Sequence, residues 1–240
     1  MFVMLFLLLI LILSKMIKRE ELQPVIPKII HYTWKDSNLL DLQKECLQSW
    51  KTHFKEPEYI YMFWSDEDIS SFINTYYEDY KWLFDKQTKN IVKVDLFRFF
   101  VLHKYGGIYM DLDYKVHKNF YSILKPDKFN CIESPFKFNE EVQNSLMACV
   151  KNHTIFMEIF NSLKNNNSRS ILSIAGPTFL TNVLKKQPKH FHILPCNEFQ
   201  RIQEKELKAY KNNKLLKNAC GKQSDNVSVY GEHLLSGTWI

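Results

Sequence analysis

The sequence predicts one α/β domain preceded by a separate hydrophobic segment. Short apolar segments typical of strands alternate along the chain with longer segments of helical periodicity, which is the pattern of an α/β fold. The chain has 240 residues, of which 45% are hydrophobic, and this is enough to bury one sizeable core. We therefore expect a single folded domain over residues 20–240, with residues 1–19 excluded from it.

Apolar segments bounded by polar residues predict strands at 26–34, 59–64, 129–133 and 191–194. A shorter apolar run follows the glycine pair Gly106 and Gly107 and leads directly into Asp111 and Asp113. If this run is also a strand, side chains two positions apart point to the same side. The two carboxylates would then face one place together.

Helical periodicity predicts helices at 39–53, 66–76, 78–85, 90–105, 154–163 and from Pro177 onward. Asp66 and Asn90 are residue types that cap helix N-termini, and each stands at the start of a predicted helix. Gly106 can end the helix at 90–105 in the left-handed conformation, and proline suits a first helical turn. The region 197–225 is polar and Lys-rich, and it carries no clear pattern.

The Asp111-Leu112-Asp113 motif predicts a site for a hard cation. Two adjacent carboxylates repel each other unless a cation or a shared proton compensates, and oxygen ligands suit Mg²⁺ or Mn²⁺. An isolated Asp-x-Asp is also common by chance in solvated turns, so the motif alone does not decide between these readings.

The preceding helix strengthens the functional reading. Asp95 and Arg98 lie three residues apart and therefore share a face, while Val94, Phe97 and Val101 form an apolar stripe beside them. A surface ion pair would contribute little. A helix this apolar is expected to be buried, however, and a buried charge pair normally serves a purpose.

These residues together resemble the signature of the Asp-x-Asp, sugar-binding glycosyltransferases of family 32. The resemblance is carried by the segments 94–99 and 106–113, and it extends over roughly residues 26–239. Further matching segments are the predicted strands 26–34 and 59–66, the Gly-Pro segment 175–181, and a terminal His followed by Gly-Thr-Trp at 233–239, where the family usually has Gly-Ser-Trp.

The resemblance implies a GT-A-like fold, a Rossmann-like mixed sheet flanked by helices, with the helices at 66–85 covering a donor site. It implies that the Asp-x-Asp motif binds a nucleotide sugar through a divalent metal, usually Mn²⁺, with Mg²⁺ as the alternative. Asp113 would then be the direct metal ligand, and Asp111 would contact the ribose or the water shell of the metal. Asp95 and Arg98 match the donor-sugar contacts of the family, and Tyr109 would line the same pocket.

The two ends of the domain receive roles by the same resemblance. Trp34 would stack on the nucleotide base, and Trp239 would close over the diphosphate. His233 or Glu232 would be a further metal ligand, although the tail departs from the family pattern and an ordered C-terminal strand is the plainer interpretation. His31, at the end of the first predicted strand, is expected to be structural rather than catalytic.

The expected activity is a metal-dependent, retaining hexosyl transfer from a nucleotide sugar to a glycan, glycolipid or protein hydroxyl. A bound dication stabilises the charge that develops on the departing diphosphate, and Arg98 adds a planar cationic donor. No residue stands out as a covalent nucleophile, so a front-side displacement is our hypothesis. The donor is GDP-mannose, UDP-galactose or UDP-glucose, with mannose favoured by the resemblance.

Two other functions use the same residues. A membrane-anchored protein could bind a nucleotide sugar or glycan without turnover, although the intact set Asp95, Arg98, Asp111 and Asp113 argues against such decay. An Asp-x-Asp phosphatase usually has Thr or Val two residues after its motif and places the motif near the start of the domain. Here Lys115 stands at that position and the motif lies in the middle of the chain.

The net charge is +6, but the lysines are dispersed and no nucleic-acid motif accompanies them, so we expect no nucleic-acid partner. The apolar run 1–13, followed by Lys15, Lys18 and Arg19, predicts a signal anchor or a membrane-spanning segment. The family implies a single-pass protein of the Golgi or endoplasmic reticulum. The basic flank lies on the catalytic side, which leaves the orientation open. Five cysteines show no metal-binding spacing, and an odd number leaves at least one thiol free.

Overall fold

A computed structural model describes residues 24–136, 141–200 and 230–234. The predicted anchor at 1–19, most of the Lys-rich region, and Trp239 lie outside these ranges. Within them, no helix combines the length and the apolar character needed to cross a bilayer.

The chain alternates between strands and helices, as the sequence predicts. The strands are β1 (Ile29–Thr33), β2 (Ile60–Trp64), β3 (Gly107–Met110), β4 (Tyr114–Val116), β5 (Phe129–Glu133), β6 (Val142–Cys149), β7 (Phe191–Leu194) and β8 (Gly231–His233). The helices are α1 (Asp41–His53), α2 (Asp66–Tyr76), α3 (Lys81–Asp85), α4 (Asn90–Tyr105), α5 (Ile155–Lys164), α6 (Ile171–Ile174), α7 (Pro177–Lys186) and α8 (Cys196–Phe199).

The main sheet is mixed and has the strand order β2-β1-β3-β6-β5-β7. The strands β2, β1 and β3 are parallel to one another, β6 is antiparallel to both β3 and β5, and β7 is parallel to β5. A separate two-stranded ribbon pairs β4 with β8. Strand β4 follows directly after the Asp-x-Asp motif in the sequence. The expected mixed sheet is therefore confirmed.

Both faces of the main sheet are covered. Successive side chains of a strand point to opposite faces, so neighbouring residues enter different cores. Tyr109 and Met147 belong to the core under α2, α4, α5 and α7, whereas Ile108 and Leu146 belong to the core that contains Trp50 of α1. The described residues thus form helical layers on both sides of a sheet, as expected for an α/β domain. Cys46, Cys131 and Cys149 are buried free thiols, and the last two belong to the first of these cores.

The sequence missed β6, the longest strand of the sheet and a central one. All eight of its residues are buried, yet it contains the polar run Gln143, Asn144 and Ser145. Apolar periodicity cannot detect a buried strand that carries polar side chains, because the pattern assumes that buried positions are apolar. One of them, Asn144, is explained below by the buried charges that it contacts.

Two predicted caps are also corrected. Helix α4 begins at Asn90, and its N-cap is Lys89, which forms no side-chain capping bond. The cap of α2 is Ser65, whose hydroxyl accepts from the Asp68 backbone N–H while the Asp68 carboxylate accepts from the Ser65 backbone N–H. Asp66 and Asn90 instead bond each other, with Asn90 Nδ2 donating to Asp66 Oδ2 at 3.2 Å. Neither side chain caps its helix, and both lie at the surface of a cavity described below.

Gly106 and Gly107 join α4 to β3 with φ angles of +67° and +97°. The positive φ predicted for Gly106 is confirmed, although its ψ of −160° differs from that of a left-handed helical residue. A Cβ on Gly107 would lie 2.5 Å from the Ile29 carbonyl oxygen, and one on Gly106 would lie 2.5 Å from the Lys151 backbone nitrogen. Only glycine fits this crossing from helix to sheet.

We expect Gly107→Ala to lower the free energy of unfolding by about 3 kcal/mol, because it combines an unfavourable φ with a clash against backbone that cannot move aside. Urea unfolding at neutral pH measures the loss. Gly176→Ala is the matched control, since Gly176 has a φ of −83° and its Cβ would approach no atom closer than 3.1 Å. Equal losses in the two variants would contradict this explanation.

Candidate active site

A cavity of about 740 Å³ opens where the parallel strands β1, β2 and β3 end. Its wall includes the residues that follow these strands, namely Trp34 after β1, Asp66 after β2, and Asp111 and Asp113 after β3. Arg98 of α4 also lines it. The carboxyl ends of parallel strands meet at one edge of a sheet, and this is where α/β domains usually bind ligands.

The Asp-x-Asp motif lies in a turn rather than in a strand, which corrects the sequence interpretation. Strand β3 ends at Met110, the Asp111 N–H bonds the Ser145 carbonyl at 2.8 Å, and the Tyr114 N–H bonds the Asp111 carbonyl at 2.9 Å. Asp111 and Asp113 nevertheless both reach the cavity. The turn, and not the alternation of a strand, brings the two carboxylates together.

Strand β8 adds His233 to this pair. His233 Nε2 lies 2.9 Å from Asp113 Oδ1, and the Leu234 N–H bonds the Asp113 carbonyl at 2.8 Å. One ligand atom from each of Asp111, Asp113 and His233 lies within 4.8 Å of the other two. Two carboxylates and one imidazole on a cavity wall are a ligand set that suits Mn²⁺ or a similar divalent ion.

Arg98 connects the acidic motif to the interior. Its Nη2 lies 2.9 Å from Asp111 Oδ1, and its Nη1 lies 3.3 Å from Asp95 Oδ1 and 2.9 Å from the Asn144 carbonyl. The guanidinium stands 4.9 Å from the centre of the Tyr109 ring. Asp95 and Arg98 are each only 4% exposed, so the surface ion pair considered from the sequence is excluded.

The electrostatics of the group favour a bound cation. Burial raises the pKa of Asp111 to about 6, while Arg98 opposes this rise and Asp113 adds to it. Burial also raises the pKa of Asp95, against the effects of Arg98 and Asn144. For His233 burial lowers the pKa, but the charge and hydrogen bond of Asp113 outweigh it and the pKa is raised. A divalent ion at Asp111 and Asp113 would supply the positive charge that stabilises these two carboxylates in ionised form.

The structure places some predicted site residues behind the cavity wall. Tyr109 is fully buried in β3 and bonds Thr33 Oγ1 at 3.0 Å and Asp111 Oδ1 at 3.3 Å, so the expectation that it lines the pocket is corrected. Asp95 also stands behind Arg98 and is not part of the wall. Glu232 faces away from the acidic pair and bonds His117 at 3.1 Å, because neighbouring residues of a strand point to opposite sides.

Trp34 lines the cavity beside β1, where the resemblance expects a base-stacking residue. Its indole N–H is buried and has no hydrogen-bond partner in the described part of the chain. Trp239, the other predicted tryptophan, lies outside the described residues.

Asn144 is a site residue that the sequence did not reveal. Its side-chain Nδ2 donates to Asp95 Oδ1 at 2.8 Å, while its backbone carbonyl accepts from Arg98 Nη1. One residue thus satisfies both members of a buried ion pair, which lowers the cost of burying them. The sequence does contain the polar run at 143–145, but the partners of Asn144 could not be identified before the fold was known.

His31 lies fully buried beneath this region, in keeping with the structural role expected for it. Its Nε2 bonds the Gly106 carbonyl at 2.9 Å, and its Nδ1 accepts from Trp64 Nε1 at 3.3 Å. Both contacts suit the neutral ring with its proton on Nε2. Burial lowers the pKa of His31 to about 4, against the opposing effect of the Gly106 bond.

This pKa predicts a loss of stability in acid. A histidine whose pKa is lower in the folded state stabilises the fold fully above its unfolded pKa of about 6.5, and loses that contribution as the pH falls towards 4. The loss should reach about 3 kcal/mol. Urea unfolding between pH 7.5 and 4.5 should show a smaller pH dependence in His31→Gln than in the wild type. Equal pH dependence in the two proteins would contradict the assignment.

Comparisons with known proteins agree with this geometry. Residues 41–130 match the family described as "Glycosyltransferase sugar-binding region containing DXD motif". The matched segment contains Asp95, Arg98, Asp111 and Asp113.

Several curated proteins are similar in sequence. Mannosyl phosphorylinositol ceramide synthase SUR1 of Saccharomyces cerevisiae is 33% identical over 202 residues, which cover 78% of this chain and 50% of that protein. Inositol phosphoceramide mannosyltransferase 2 of Schizosaccharomyces pombe is 35% identical, covering 69% of this chain and 49% of that protein. An uncharacterized glycosyltransferase, L373 of Acanthamoeba polyphaga mimivirus, is 26% identical, covering 76% and 73%. The chain spans about half the length of the fungal relatives.

Two solved structures share the fold. The PaToxG glycosyltransferase superimposes with a TM-score of 0.56 at 18% identity, covering 86% of this chain and 88% of that one. A glycosyltransferase involved in glycosylation of the major capsid of PBCV-1 gives a TM-score of 0.53 at 10% identity, covering 87% and 94%. The expected fold class is therefore supported by structure as well as by sequence. With its Asp-x-Asp motif on the wall of the cavity, the chain carries at residues 41–130 the DXD-containing sugar-binding region of this glycosyltransferase family.

Proposed function

We propose that this protein is a metal-dependent, retaining hexosyltransferase that uses a nucleotide diphosphate sugar. The observation that carries the proposal is the convergence of Asp111, Asp113 and His233 on the wall of a cavity that Arg98 and Trp34 also line. Such a cavity offers an aromatic ring for a base, a ligand set for a metal and a fixed cation for oxygen atoms. These are the three kinds of contact that a nucleotide sugar needs.

In this proposal Asp113, Asp111 and His233 hold the metal, with Mn²⁺ preferred over Mg²⁺ because an imidazole joins the carboxylates. The metal, when bound, stabilises the charge that develops on the departing diphosphate. Arg98 presents its guanidinium to sugar or phosphate oxygens, and Asp95 acts from behind by fixing Arg98. Trp34 stacks on the base, and Trp239 closes over the diphosphate.

The acceptor hydroxyl attacks the anomeric carbon from the side that the diphosphate leaves, and a phosphate oxygen takes the hydroxyl proton. No carboxylate of the described wall needs to form a covalent bond in this scheme. Detection of a glycosyl-enzyme intermediate by mass spectrometry after rapid quenching would exclude it.

Mannose is the favoured sugar and a glycolipid the favoured acceptor, since the fungal relatives are named inositol phosphoceramide mannosyltransferase or mannosyl phosphorylinositol ceramide synthase. Galactose or glucose as the donor sugar, and a glycan or protein as acceptor, are the alternatives. The segment 1–19 would anchor the domain to a Golgi or endoplasmic reticulum membrane beside a lipid acceptor.

A donor panel tests the proposal. GDP-mannose, UDP-galactose and UDP-glucose are incubated with the protein and Mn²⁺, and release of the nucleoside diphosphate is measured with and without EDTA. We expect hydrolysis of one donor that stops in EDTA and returns when excess Mn²⁺ is added. Turnover that persists in EDTA would contradict metal dependence, and binding without turnover of any donor and acceptor would favour the inactive sugar-nucleotide-binding alternative.

A further inference from the structure

A half-buried carboxylate and an amide lie together on the cavity wall, away from the acidic motif. Asp66 follows β2 and Asn90 begins α4, and both line the cavity. Asn90 Nδ2 donates to Asp66 Oδ2 at 3.2 Å, which is the side-chain hydrogen bond that holds the pair within the described residues. The metal-ligand group described above does not include them.

The order of the strands gives the distance between this pair and the metal-ligand group. Strand β1 lies between β2 and β3, and neighbouring strands are spaced by nearly 5 Å, so the residues after β2 and β3 are separated by about 10 Å. Trp34, after β1, stands between them, and the Asp66 N–H bonds the Lys35 carbonyl at 3.4 Å. A nucleotide with its diphosphate at Asp113 and its base against Trp34 would therefore reach Asp66 with the outer edge of the base.

Among the side chains of the described residues, the Asp66 carboxylate has one hydrogen-bond donor, Asn90. A carboxylate can accept about four hydrogen bonds, and Asn90 supplies one. Burial raises the pKa of Asp66, Asp36 adds to the rise, and the opposing charge of Lys93 does not cancel it. A ligand that brings N–H donors to this carboxylate would satisfy it.

Guanine matches this pair in hydrogen-bond pattern. The N1–H and the exocyclic N2 amino group of guanine are adjacent donors that one carboxylate can accept together, while the second N–H of the Asn90 amide can donate to the guanine O6. Uracil presents one N–H between two carbonyl oxygens, so the carboxylate would face an acceptor. A purine also has room, because a second cavity of about 250 Å³ shares Asp66, Asn90 and Val94 with the first.

We propose that Asp66, together with Asn90, reads the nucleotide base and selects a guanosine diphosphate sugar over a uridine one. This inference rests on the proposed function, since it assigns a base to the same donor site. It identifies two residues as determinants of donor specificity that need not contact the reacting atoms.

Calorimetric titration of the full chain with GDP, inosine diphosphate and UDP, each with Mn²⁺, tests the proposal. Inosine diphosphate differs from GDP only in lacking the N2 amino group. We expect GDP to bind about tenfold or more tightly than either of the others, the range usual for one bidentate base contact. In Asp66→Asn the affinity for GDP should fall about tenfold, and the three nucleotides should bind within a few-fold of one another.

Asp36→Asn is the matched control, because Asp36 is a nearby carboxylate outside the cavity wall and should leave the preference for GDP unchanged. Melting temperatures show whether each variant folds, and Asp66→Ala repeats the test if Asp66→Asn does not. Equal or tighter binding of UDP by the wild type, or a preference for GDP that survives in Asp66→Asn, would overturn the inference while leaving a nucleotide-sugar transferase intact. Binding of none of the three would overturn the proposed function and this inference with it.

Discussion

Asp113→Asn should reduce Mn²⁺-dependent hydrolysis of the preferred donor by about a thousandfold, a loss comparable with removal of a main source of charge stabilisation in an active site. The amide keeps the size of the side chain but removes the charge that a dication needs. It also weakens the contact with His233 Nε2, which lies 2.9 Å from Asp113 Oδ1, because a neutral amide oxygen is a weaker acceptor than a carboxylate. Two of the three proposed ligands are thus affected by one substitution.

Two measurements separate metal loss from unfolding. Titration with Mn²⁺, followed by calorimetry, should show a large loss of affinity in Asp113→Asn, while the far-ultraviolet circular dichroism spectrum stays that of the wild type. Asp79→Asn, at an exposed site outside the cavity wall, should leave both the affinity and the rate unchanged. Wild-type turnover in Asp113→Asn, with or without EDTA, would rule out the metal site.

The sequence was sufficient for the parts of the site that lie on one continuous segment. Helix α4 and the Asp-x-Asp motif are only a few residues apart, so helical spacing and the glycine pair already placed Asp95, Arg98 and Asp111 near one another. The strands that are rich in apolar residues could also be predicted, because each is a continuous segment with its own local pattern. In each case the local pattern and the final environment agree.

Contributions from distant segments could not be read in the same way. Asn144 reaches Asp95 across 49 positions of sequence, and His233 reaches Asp113 across 120. Asn144 belongs to a strand that apolar periodicity missed, and it contacts the buried pair of Asp95 and Arg98. The turn at Asp111 was mistaken for a strand because both conformations direct the two carboxylates to one place. Tertiary structure decided each of these points.

Arg98→Met should be the most destabilising single substitution at the site. Methionine has a similar reach but no charge, so Asp95 and Asp111 would remain buried without their cation. Breaking a buried ion pair in this way usually costs about 3 to 5 kcal/mol, far more than the loss of an exposed pair. Urea unfolding measures the cost, and a loss below about 1 kcal/mol would show that the charges are hydrated in solution.

A second substitution shows whether the cost arises from the charge left behind. In Arg98→Met/Asp95→Asn one of the two orphaned carboxylates is removed, so the double variant should be more stable than the sum of the two single losses requires. The paired exchange Asp95→Asn/Asn144→Asp is the control, because it keeps one carboxylate and one amide in contact and leaves Arg98 in place. If it is much more stable than Arg98→Met, the guanidinium and not the packing of these side chains holds the centre of the site together. If the losses in stability from Arg98→Met and Asp95→Asn were strictly additive in the double variant, Arg98 would instead stabilise the fold through its contacts with the Tyr109 ring and the Asn144 backbone carbonyl.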